Sequence, residues 1–362
     1  RMLGVPSVAR SVVHTFPEAA GHECYLLHCC SNSNTTLAVA AHCPGNEIKL
    51  YDKNTLGLTA DLVGHAAVVN DLQFAPDQNQ LVSAASDGSV KIWDIRSRTV
   101  AQEFRGGDEL WSSSVSVDGL TLCAGSEAVV YLWDRRVVDH PRLILDEVHT
   151  ESVTQVRFHP VHRQMLVTGS VDGLVCLLNS DSPNADDALT SVLNGDVSVA
   201  RVGFFGPALE HVYTTTHIEG LNCWSLGTED LLGTVPDARP AITSTAPVNY
   251  LVDCHWSEEL GALIVVAGDD DGAMSLGRVM GSSITPLGAV AGGHSGLIRG
   301  IDWKGGMLFS VGEDSRIVNW TWDPTQGLGP KAAVDAPAPA AAKEPRVRKS
   351  TTPSTSPYSR PK

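Results

Sequence analysis

Apolar and polar residues alternate along this chain in short runs, and the same run recurs. Three segments align without gaps: residues 81–93, 166–178 and 308–320. In each, an apolar stretch leads to a tight turn containing aspartate, and an alternating stretch follows, as in a β-hairpin. Four looser or degenerate copies occupy residues 37–51, 121–133, 211–224 and 263–277. The pattern predicts an all-β protein with seven similar hairpins.

The spacing of the hairpins predicts how they are arranged. The second strand of each hairpin ends at an equivalent residue, and in chain order these residues are Tyr51, Trp93, Trp133, Leu178, Trp224, Gly277 and Trp320. Successive members of this set are 40 to 53 positions apart. A period of about 40–45 residues is typical of the four-stranded blade of a β-propeller. We therefore expect seven blades.

Two dipeptides recur together with the hairpins. Gly64-His65 and Gly293-His294 precede two hairpins, and His149 stands at the same place before a third. Trp93-Asp94 and Trp133-Asp134 end two of the hairpins. With these dipeptides the chain resembles the WD-repeat family, whose blades carry Gly-His early and Trp-Asp late. The resemblance implies a seven-bladed WD-repeat β-propeller that serves protein interaction.

Other stretches are similar to one branch of that family, WD repeat-containing protein 89. They include residues 153–160, 170–175 and 216–220. The resemblance extends over most of residues 8–323. It implies a protein of the nucleus, the cytoplasm or both, without known catalysis.

The family resemblance also implies a hydrogen-bonded tetrad within each well-preserved blade. The tetrads would be His65, Ser83, Asp87 and Trp93 in the second blade, and His294, Ser310, Asp314 and Trp320 in the last. The aspartate accepts from the histidine, the histidine bonds the hydroxyl, and the hydroxyl accepts from the indole N–H. Buried polar groups are thereby satisfied. The fourth blade keeps His149, Thr168 and Asp172 but has Leu178, and the sixth has Asp271 but Ala267 and Gly277.

A His-Ser-Asp set can also belong to a hydrolase, and we reject that alternative because the set recurs blade after blade, as a structural element would. The chain has no nucleophile-elbow Gly-x-Ser-x-Gly, Walker A loop or HExxH sequence. Runs of about 18 apolar residues, which a membrane helix needs, are also missing. We therefore expect no enzyme activity, cofactor, metal, small-molecule substrate or membrane partner.

The two ends of the chain differ in kind. Residues 8–14 alternate like a strand. Only a few residues follow Trp320 before the composition changes, which is too few for a fourth strand in the last blade. We therefore expect the N-terminal strand to complete that blade and close the ring. Beyond residue 324, Pro, Ala, Ser and Thr dominate. We expect a propeller over residues 1–324 and a disordered tail over 325–362. Thr352 and Ser356, each followed by proline, are predicted phosphorylation sites.

Charge is unevenly distributed along the chain. The net charge is −15, but residues 331–362 carry seven basic and two acidic side chains, so residues 1–330 carry −20. An acidic body repels nucleic acid and attracts basic proteins. Only the basic segment 343–349 of the tail could contact nucleic acid, and then weakly. The acidic charge of residues 1–330 is equally well explained by a need for solubility alone.

Eight cysteines are scattered without a C-x-x-C pair. The sequence around Arg1-Met2-Leu3-Gly4 does not have the long apolar core of a secretory signal, so we expect an intracellular protein. We expect all eight to be small buried side chains in a reducing intracellular compartment.

Two interaction functions remain open. The first is a scaffold or assembly factor for a basic client such as a histone or ribosomal protein. The second is a substrate receptor of a cullin-4 ubiquitin ligase, because residues 81–96 resemble a box ending Trp-Asp-x-Arg. The two boxes end in Trp93, Asp94 and Arg96, and in Trp133, Asp134 and Arg136.

The client surface can be predicted by aligning the innermost strands on Phe74, Phe158 and Trp303. Val117 and Trp256 are the matching anchors of the third and sixth blades. The positions six and four residues before each anchor should open onto the face of the Gly-His loops. The alignment places Trp111, Ser113, Tyr250, Val252 and Arg299 there, with Asp270 nearby. We expect Trp111, Tyr250 and Arg299 to cluster around the channel mouth, unless the two aromatic residues only pack between blades.

Overall fold

The computed structural model describes residues 9–15, 24–243, 247–304 and 306–321. The chain divides into two units, residues 1–331 and 332–362, and every described residue belongs to the first. The described residues form seven antiparallel sheets of four strands each. The predicted all-β, seven-bladed propeller is confirmed.

Blades 1 to 4 follow the chain without interruption. Blade 1 consists of β2 (Tyr25–Ser31), β3 (Thr36–His42), β4 (Ile48–Asp52) and β5 (Leu58–Leu62). Blade 2 consists of β6 (Val69–Phe74), β7 (Gln80–Ala85), β8 (Ser89–Asp94) and β9 (Thr99–Arg105). Blade 3 consists of β10 (Ser112–Val115), β11 (Thr121–Gly125), β12 (Val130–Asp134) and β13 (Leu143–Leu145). Blade 4 consists of β14 (Val153–Phe158), β15 (Met165–Ser170), β16 (Leu174–Asn179) and β17 (Leu189–Asn194).

Blades 5 to 7 complete the ring. Blade 5 consists of β18 (Val199–Phe205), β19 (His211–Thr216), β20 (Leu221–Ser225) and β21 (Leu231–Val235). Blade 6 consists of β22 (Tyr250–Ser257), β23 (Ala262–Gly268), β24 (Met274–Met280) and β25 (Ser283–Val290). Blade 7 contains β26 (Ile298–Lys304), β27 (Met307–Gly312) and β28 (Arg316–Thr321). One short helix, α1 (Arg239–Ile242), precedes blade 6, and no helix in the described part is long and apolar enough to cross a membrane.

The fourth strand of blade 7 comes from the other end of the chain. The strand β1 (Ala9–Thr15) pairs antiparallel with β28, from Ala9 opposite Thr321 to Thr15 opposite Arg316. The closure by an N-terminal strand is thus confirmed. A hydrogen bond between innermost strands adds to it, because Ser31 of blade 1 donates its backbone N–H to Asp302 of blade 7 at 3.1 Å.

The core lies between blades rather than within them. The second and third strands of a blade are buried on both faces, because each blade is packed between two neighbours. The outermost strands β5 and β21 instead alternate between exposed and buried residues. This difference explains why the hairpins of the second and third strands gave the strongest sequence signal.

The strand directions define two faces of the ring. The loops that precede each innermost strand and the turns between second and third strands share one face, which we call the upper face. The turns between first and second strands and between third and fourth strands share the other, the lower face. His65 and the Asp87-Gly88 turn therefore lie on the upper face, and Arg96 lies on the lower one.

One expectation about the cysteines was wrong. Cys24 and Cys43 form a disulfide, with their Cα atoms 5.0 Å apart. They flank the β2–β3 hairpin, whose register sets Tyr25 opposite His42 and so brings the two cysteines together. Only the hairpin register shows this proximity, because the spacing of cysteines does not fix their pairing. The other six cysteines are free and buried.

Candidate interaction site

The tetrad of blade 2 is a continuous chain of hydrogen bonds. The Trp93 indole N–H donates to the Ser83 hydroxyl at 2.8 Å, and Ser83 lies 2.7 Å from His65 Nε2. His65 Nδ1 lies 2.9 Å from the Asp87 carboxylate, which also accepts the Ala66 backbone N–H at 2.8 Å. The carboxylate thereby fixes the loop that enters the blade.

Blade 7 repeats the arrangement almost atom for atom. The Trp320 indole donates to Ser310 at 2.8 Å, Ser310 lies 2.7 Å from His294 Nε2, and His294 Nδ1 lies 3.0 Å from Asp314. The Ser295 backbone N–H donates to the same carboxylate at 2.7 Å. Two blades on different parts of the ring thus use one structural device.

The protonation of the tetrad follows from its burial. Burial lowers the pKa of His65 below its usual value and outweighs the opposite effect of Asp87. Burial by itself would raise the pKa of Asp87, but hydrogen bonds from the Ser89 hydroxyl and the Ala66 N–H outweigh it and lower that pKa to about 2. At neutral pH the pair is a neutral imidazole donating to a carboxylate. Because the Ser83 side chain is fully buried, its hydroxyl is not accessible to a substrate, and the tetrad serves to hold the blade together.

Blade 4 keeps three members of the set. His149 lies 2.8 Å from the Thr168 hydroxyl and 3.1 Å from Asp172, and the Thr150 N–H donates to Asp172 at 2.9 Å. Leu178 fills the tryptophan position and is buried. In blade 6, the equivalent Ala267 and Gly277 contribute no polar group, and the apolar side chains of Ile242, Val265 and Ile284 pack there instead.

Three of the four residues predicted for the client surface line one cavity. Trp111, Tyr250 and Arg299 border a volume of about 430 Å³ at the upper mouth of the channel. Asp270 is exposed on the adjoining turn of blade 6 and accepts a hydrogen bond from Asn249 at 2.8 Å. We call this surface, formed by Trp111, Tyr250, Asp270 and Arg299, the upper mouth.

The members of the upper mouth differ in how freely they present their side chains. Trp111 is 38% exposed. Tyr250 is half-buried, and its hydroxyl accepts the Ile298 backbone N–H at 2.6 Å, so this residue also joins blades 6 and 7. The Arg299 guanidinium bonds Glu313 through Nε at 2.7 Å. Trp111 is therefore the aromatic side chain most available to a partner.

The anchor used for blade 3 was wrong. Val115, not Val117, pairs with Leu122 as Phe74 pairs with Leu81. Trp111 therefore occupies the position of Asn70, four residues before its anchor. Ser113 does not open onto the face, because it is fully buried between blades. Val117 lies beyond β10 in a turn on the lower face, where it is exposed.

The alignment also missed the residues that line the channel. The register shifts between Val69 and Asp71, and again between Val153 and Gln155, which marks a β-bulge in each innermost strand. The extra residue reverses the side to which later side chains point. Positions three and one before the anchor, such as Asp71 and Arg157, therefore face the channel.

Asp71 and Arg157 form a polar lock across three blades. Arg157 Nη1 of blade 4 donates to Asp71 of blade 2 at 2.8 Å. Between them, blade 3 donates the Ser112 hydroxyl at 2.7 Å and the Ser113 backbone N–H at 3.0 Å. Burial by itself would raise the pKa of Asp71, but the nearby Arg157 charge outweighs it and lowers that pKa. The pair therefore stays ionised and fixes the ring from inside.

The channel also holds a half-buried histidine, His28, beside a second arginine. Burial, and next the positive charge of Arg201, lower the pKa of His28 to about 4. Arg201 borders both the upper cavity and a second cavity of about 290 Å³ deeper in the channel. His28 is therefore uncharged at neutral pH.

Only some residues of the two Trp-Asp-x-Arg boxes are exposed to solvent. Trp93 and Trp133 are buried, so neither indole can touch a partner. Arg96 is exposed on the lower face. Arg136 is exposed as well, and its Nε donates to Asp134 at 2.8 Å.

Two predictions remain, on phosphorylation and on metal binding. Thr352 and Ser356 lie outside the described residues. Within the described ranges, no group of three or more His, Cys, Asp or Glu side chains could hold a metal ion.

Comparison with known proteins decides the family. The profile "WD domain, G-beta repeat" matches residues 57–94 and 142–179, which span the hairpins of blades 2 and 4. "WD repeat-containing protein 89 homolog" of Dictyostelium discoideum is 30% identical over 326 residues, 87% of this chain and 88% of its own length. The chain belongs to the WD-repeat family.

Further relatives agree with this WD-repeat assignment. "WD repeat-containing protein GTS1" of Arabidopsis thaliana is 33% identical over 312 residues, covering 79% of this chain and 78% of its own length. A chain in "Crystal Structure of Mitotic Checkpoint Complex" superposes with a TM-score of 0.69, covers 89% of this chain and 93% of its own, and is 18% identical, a likeness of fold. WD-repeat propellers are generally non-catalytic scaffolds that bind proteins, and the homologues point to that role here.

Proposed function

We propose that this WD-repeat protein is an interaction scaffold that binds a protein client at the upper mouth. The observation that carries the proposal is the exposed Trp111 beside a cavity that Arg299 also borders. Trp, Tyr and Arg are the side chains that most often dominate binding energy at interfaces. No other aromatic side chain in the described parts of the ring is as exposed, apart from Tyr25 at 38%.

The charge of the propeller favours a basic client. Residues 1–330 carry a net charge of −20, and Asp270 stands exposed at the rim of the upper mouth. Such a field raises the association rate of a positively charged partner and weakens as salt screens it. The client class that this favours is a basic protein such as a histone or a ribosomal protein, which the scaffold would shield during assembly in the nucleus or cytoplasm.

Trp111→Ala and Asp270→Asn test the client surface. Binding of a purified histone H3–H4 complex and of a ribosomal-protein mixture is measured by pull-down in 0.15 M and 0.5 M salt. Trp111→Ala should weaken binding by about 1–3 kcal/mol without lowering the melting temperature much. Asp270→Asn should have a smaller effect that disappears in 0.5 M salt. Binding that Trp111→Ala leaves unchanged would remove the upper mouth as the client site.

The exposure of Arg96 and Arg136 on the lower face supports a second candidate, recruitment to a cullin-4 ligase. Arginine grips a carboxylate through two parallel hydrogen bonds, which lysine cannot copy. Arg96→Ala with Arg136→Ala should abolish copurification with the ligase adaptor at an unchanged melting temperature. A wild-type protein that never copurifies with the adaptor would end this candidate.

A further inference from the structure

Another cavity, separate from those of the channel, opens on the lower face between blades 5 and 6. It measures about 290 Å³ and is bordered by the ends of β18, β22 and β24. We call it the lower groove and define it by Phe205, His211, Leu232, Trp256, Arg278 and Met280. The upper mouth lies on the other face, so neither surface depends on the other.

One wall of the lower groove is a row of three rings. The centroid of Phe205 lies 5.1 Å from that of His211 and 6.3 Å from that of Trp256. All three rings are only half-buried. Blade 5 supplies two of them and blade 6 the third, so the wall exists only where the two blades meet.

The rim of the lower groove is apolar and open to solvent. Leu232 is 43% exposed and Met280 is 56% exposed. The backbones of the two blades meet beside this rim, where a side chain at Gly233 would collide with the carbonyl of Gly281. The Thr234 N–H also donates to Ser282 at 3.2 Å. The rim is therefore held in place while its apolar side chains stay available.

Arg278 gives the lower groove an uncompensated charge. None of the ion pairs among the described residues includes it, and its Nε is shielded from water without a hydrogen-bond partner in the described chain. His211 Nδ1, at the far wall, is shielded and unpartnered in the same way, although Nε2 lies 3.7 Å from Glu210. Buried donors without acceptors are rare, because they cost folding free energy. Both groups would gain from an acceptor brought by a ligand.

We propose that the lower groove binds an extended segment of a partner protein that carries a large apolar side chain next to an aspartate or glutamate. The apolar side chain enters the cavity against Phe205 and Trp256. The carboxylate takes paired hydrogen bonds from the Arg278 guanidinium. The volume lies just below the roughly 300–1,000 Å³ of small-molecule pockets, which suits one or two side chains better than a cofactor. Aromatic residues, Met and Arg are also the types enriched in protein interfaces.

A phage library of random 12-residue peptides, selected on the intact protein, tests the proposal. The selected peptides should share an apolar residue beside Asp or Glu. The best one, synthesised with a fluorophore, should lose about tenfold in affinity with Arg278→Gln, as the loss of a paired carboxylate contact implies. Met280→Ser, at an exposed position that the fold does not need, should weaken the same peptide. Arg163→Gln is the matched control, because it removes a lower-face arginine that is already paired with Asp181.

A double-mutant cycle separates a direct contact from a general loss. Changing the acidic residue of the peptide to its amide should cost the wild type about tenfold but the Arg278→Gln variant almost nothing. A library without the apolar-acidic pattern would overturn the proposal. A selected peptide that binds Arg278→Gln and Met280→Ser as tightly as the wild type would overturn it as well.

Discussion

Blades 2 and 3 are neighbours with a tryptophan at the same register position, and they hold it differently. Trp93 pairs across the hairpin with Leu81, and Trp133 pairs with Leu122. Two residues beyond the leucine, blade 2 has Ser83, which accepts the indole N–H, whereas blade 3 has Ala124. No described residue accepts a hydrogen bond from Trp133 Nε1. Blade 3 therefore lacks the hydroxyl that joins the indole to the rest of the tetrad in blade 2.

Blade 3 replaces the tetrad with stacked rings. Tyr131 stacks on Trp133 with centroids 5.5 Å apart, and Phe104 of blade 2 lies 5.9 Å away on a tilted plane. The Tyr131 hydroxyl accepts the Gly107 N–H at 3.0 Å, and so fixes the entering loop as Asp87 does in blade 2. The turn differs too, because Ala128 takes a φ of 60° at the position of Asp87. The blade fold therefore tolerates two unrelated ways of burying its tryptophan.

The difference extends to the upper mouth. At the bulge position, blade 2 has Asn70, whose amide donates to the Leu110 carbonyl of blade 3 at 3.0 Å. Blade 3 has Trp111 there, exposed to solvent. Blade 2, which has the complete tetrad, thus uses this position to bond its neighbour. Blade 3, which lacks the tetrad, uses the same position to expose a side chain for contact with a partner.

Removing residues 1–16 should have the largest effect. Blade 7 has the same tetrad as blade 2, but its fourth strand is not continuous with the other three. Losing the ladder between β1 and β28, at about 1 kcal/mol per hydrogen bond, should cost on the order of 5 kcal/mol in the free energy of unfolding. Denaturant unfolding measures it. Truncation after Pro324 is the control and should leave the melting temperature within a few degrees, and equal stability of both truncations would refute a role for β1 in closure.

Asp87→Ala should be the most damaging point change in blade 2. It leaves His65 Nδ1, the Ala66 N–H and the Ser89 hydroxyl without their acceptor. Hydrogen bonds to a charged group are worth about 1.5–3 kcal/mol, so a loss of about 3 kcal/mol is expected. Thermal unfolding measures it. Asp230→Ala, at an outer turn, is the comparison, and an equally small loss at both sites would show that the tetrad does not stabilise blade 2.

A lower pH should destabilise the blades that contain histidines of lowered pKa before it destabilises blade 3. Burial lowers the pKa values of His65 and His149, and those of His28 and His255 fall to about 4. The unfolded chain therefore binds more protons than the folded one between about pH 4 and 6.5, so stability is complete above that window and falls as pH decreases through it. Hydrogen exchange at pH 7 and pH 5 should show blades 1, 2, 4 and 6, which contain these histidines, losing protection before blade 3. Uniform loss in all blades would contradict this.

Removing the hydroxyl from blade 2, or adding one to blade 3, should have the smallest effect, and the two changes should shift stability in opposite directions. Ser83→Ala should destabilise by about 1–3 kcal/mol because it leaves the Trp93 indole N–H and His65 Nε2 unsatisfied. Ala124→Ser should stabilise blade 3 by about 1 kcal/mol, since it offers Trp133 an acceptor at the same register position. Denaturant midpoints measure both. A destabilising Ala124→Ser would mean that the stacked rings leave no room for the hydroxyl.

The fold could be predicted because each hairpin carries its own signal. The turn at Asp87-Gly88 and the apolar strands beside it mark a blade without any knowledge of its neighbours. The tetrads were equally accessible, because the hydroxyl, the aspartate and the tryptophan keep the same spacing in blades 2 and 7, and the histidine precedes them in both. Closure by the N-terminal strand followed from the missing strand after Trp320.

The functional surfaces were harder to predict, since they depend on local shifts and on neighbouring blades. The bulges before Asp71 and Gln155 cannot be placed from residue types, so the channel residues were missed. The short strand β10 moved the anchor of blade 3 by two residues, which displaced Ser113. The lower groove joins Phe205 to Arg278, residues that only the packing of blades 5 and 6 brings together.

The central claim is that the tetrads maintain the fold and the upper mouth binds the client. One experiment measures client capture per folded molecule for Trp111→Ala and Ser83→Ala, together with the melting temperature of each variant. Trp111→Ala should lose client at a nearly unchanged melting temperature, and Ser83→Ala should lower the melting temperature at unchanged capture per folded molecule. The reverse result, with Trp111→Ala unfolding the protein while its folded fraction binds normally, would contradict the account.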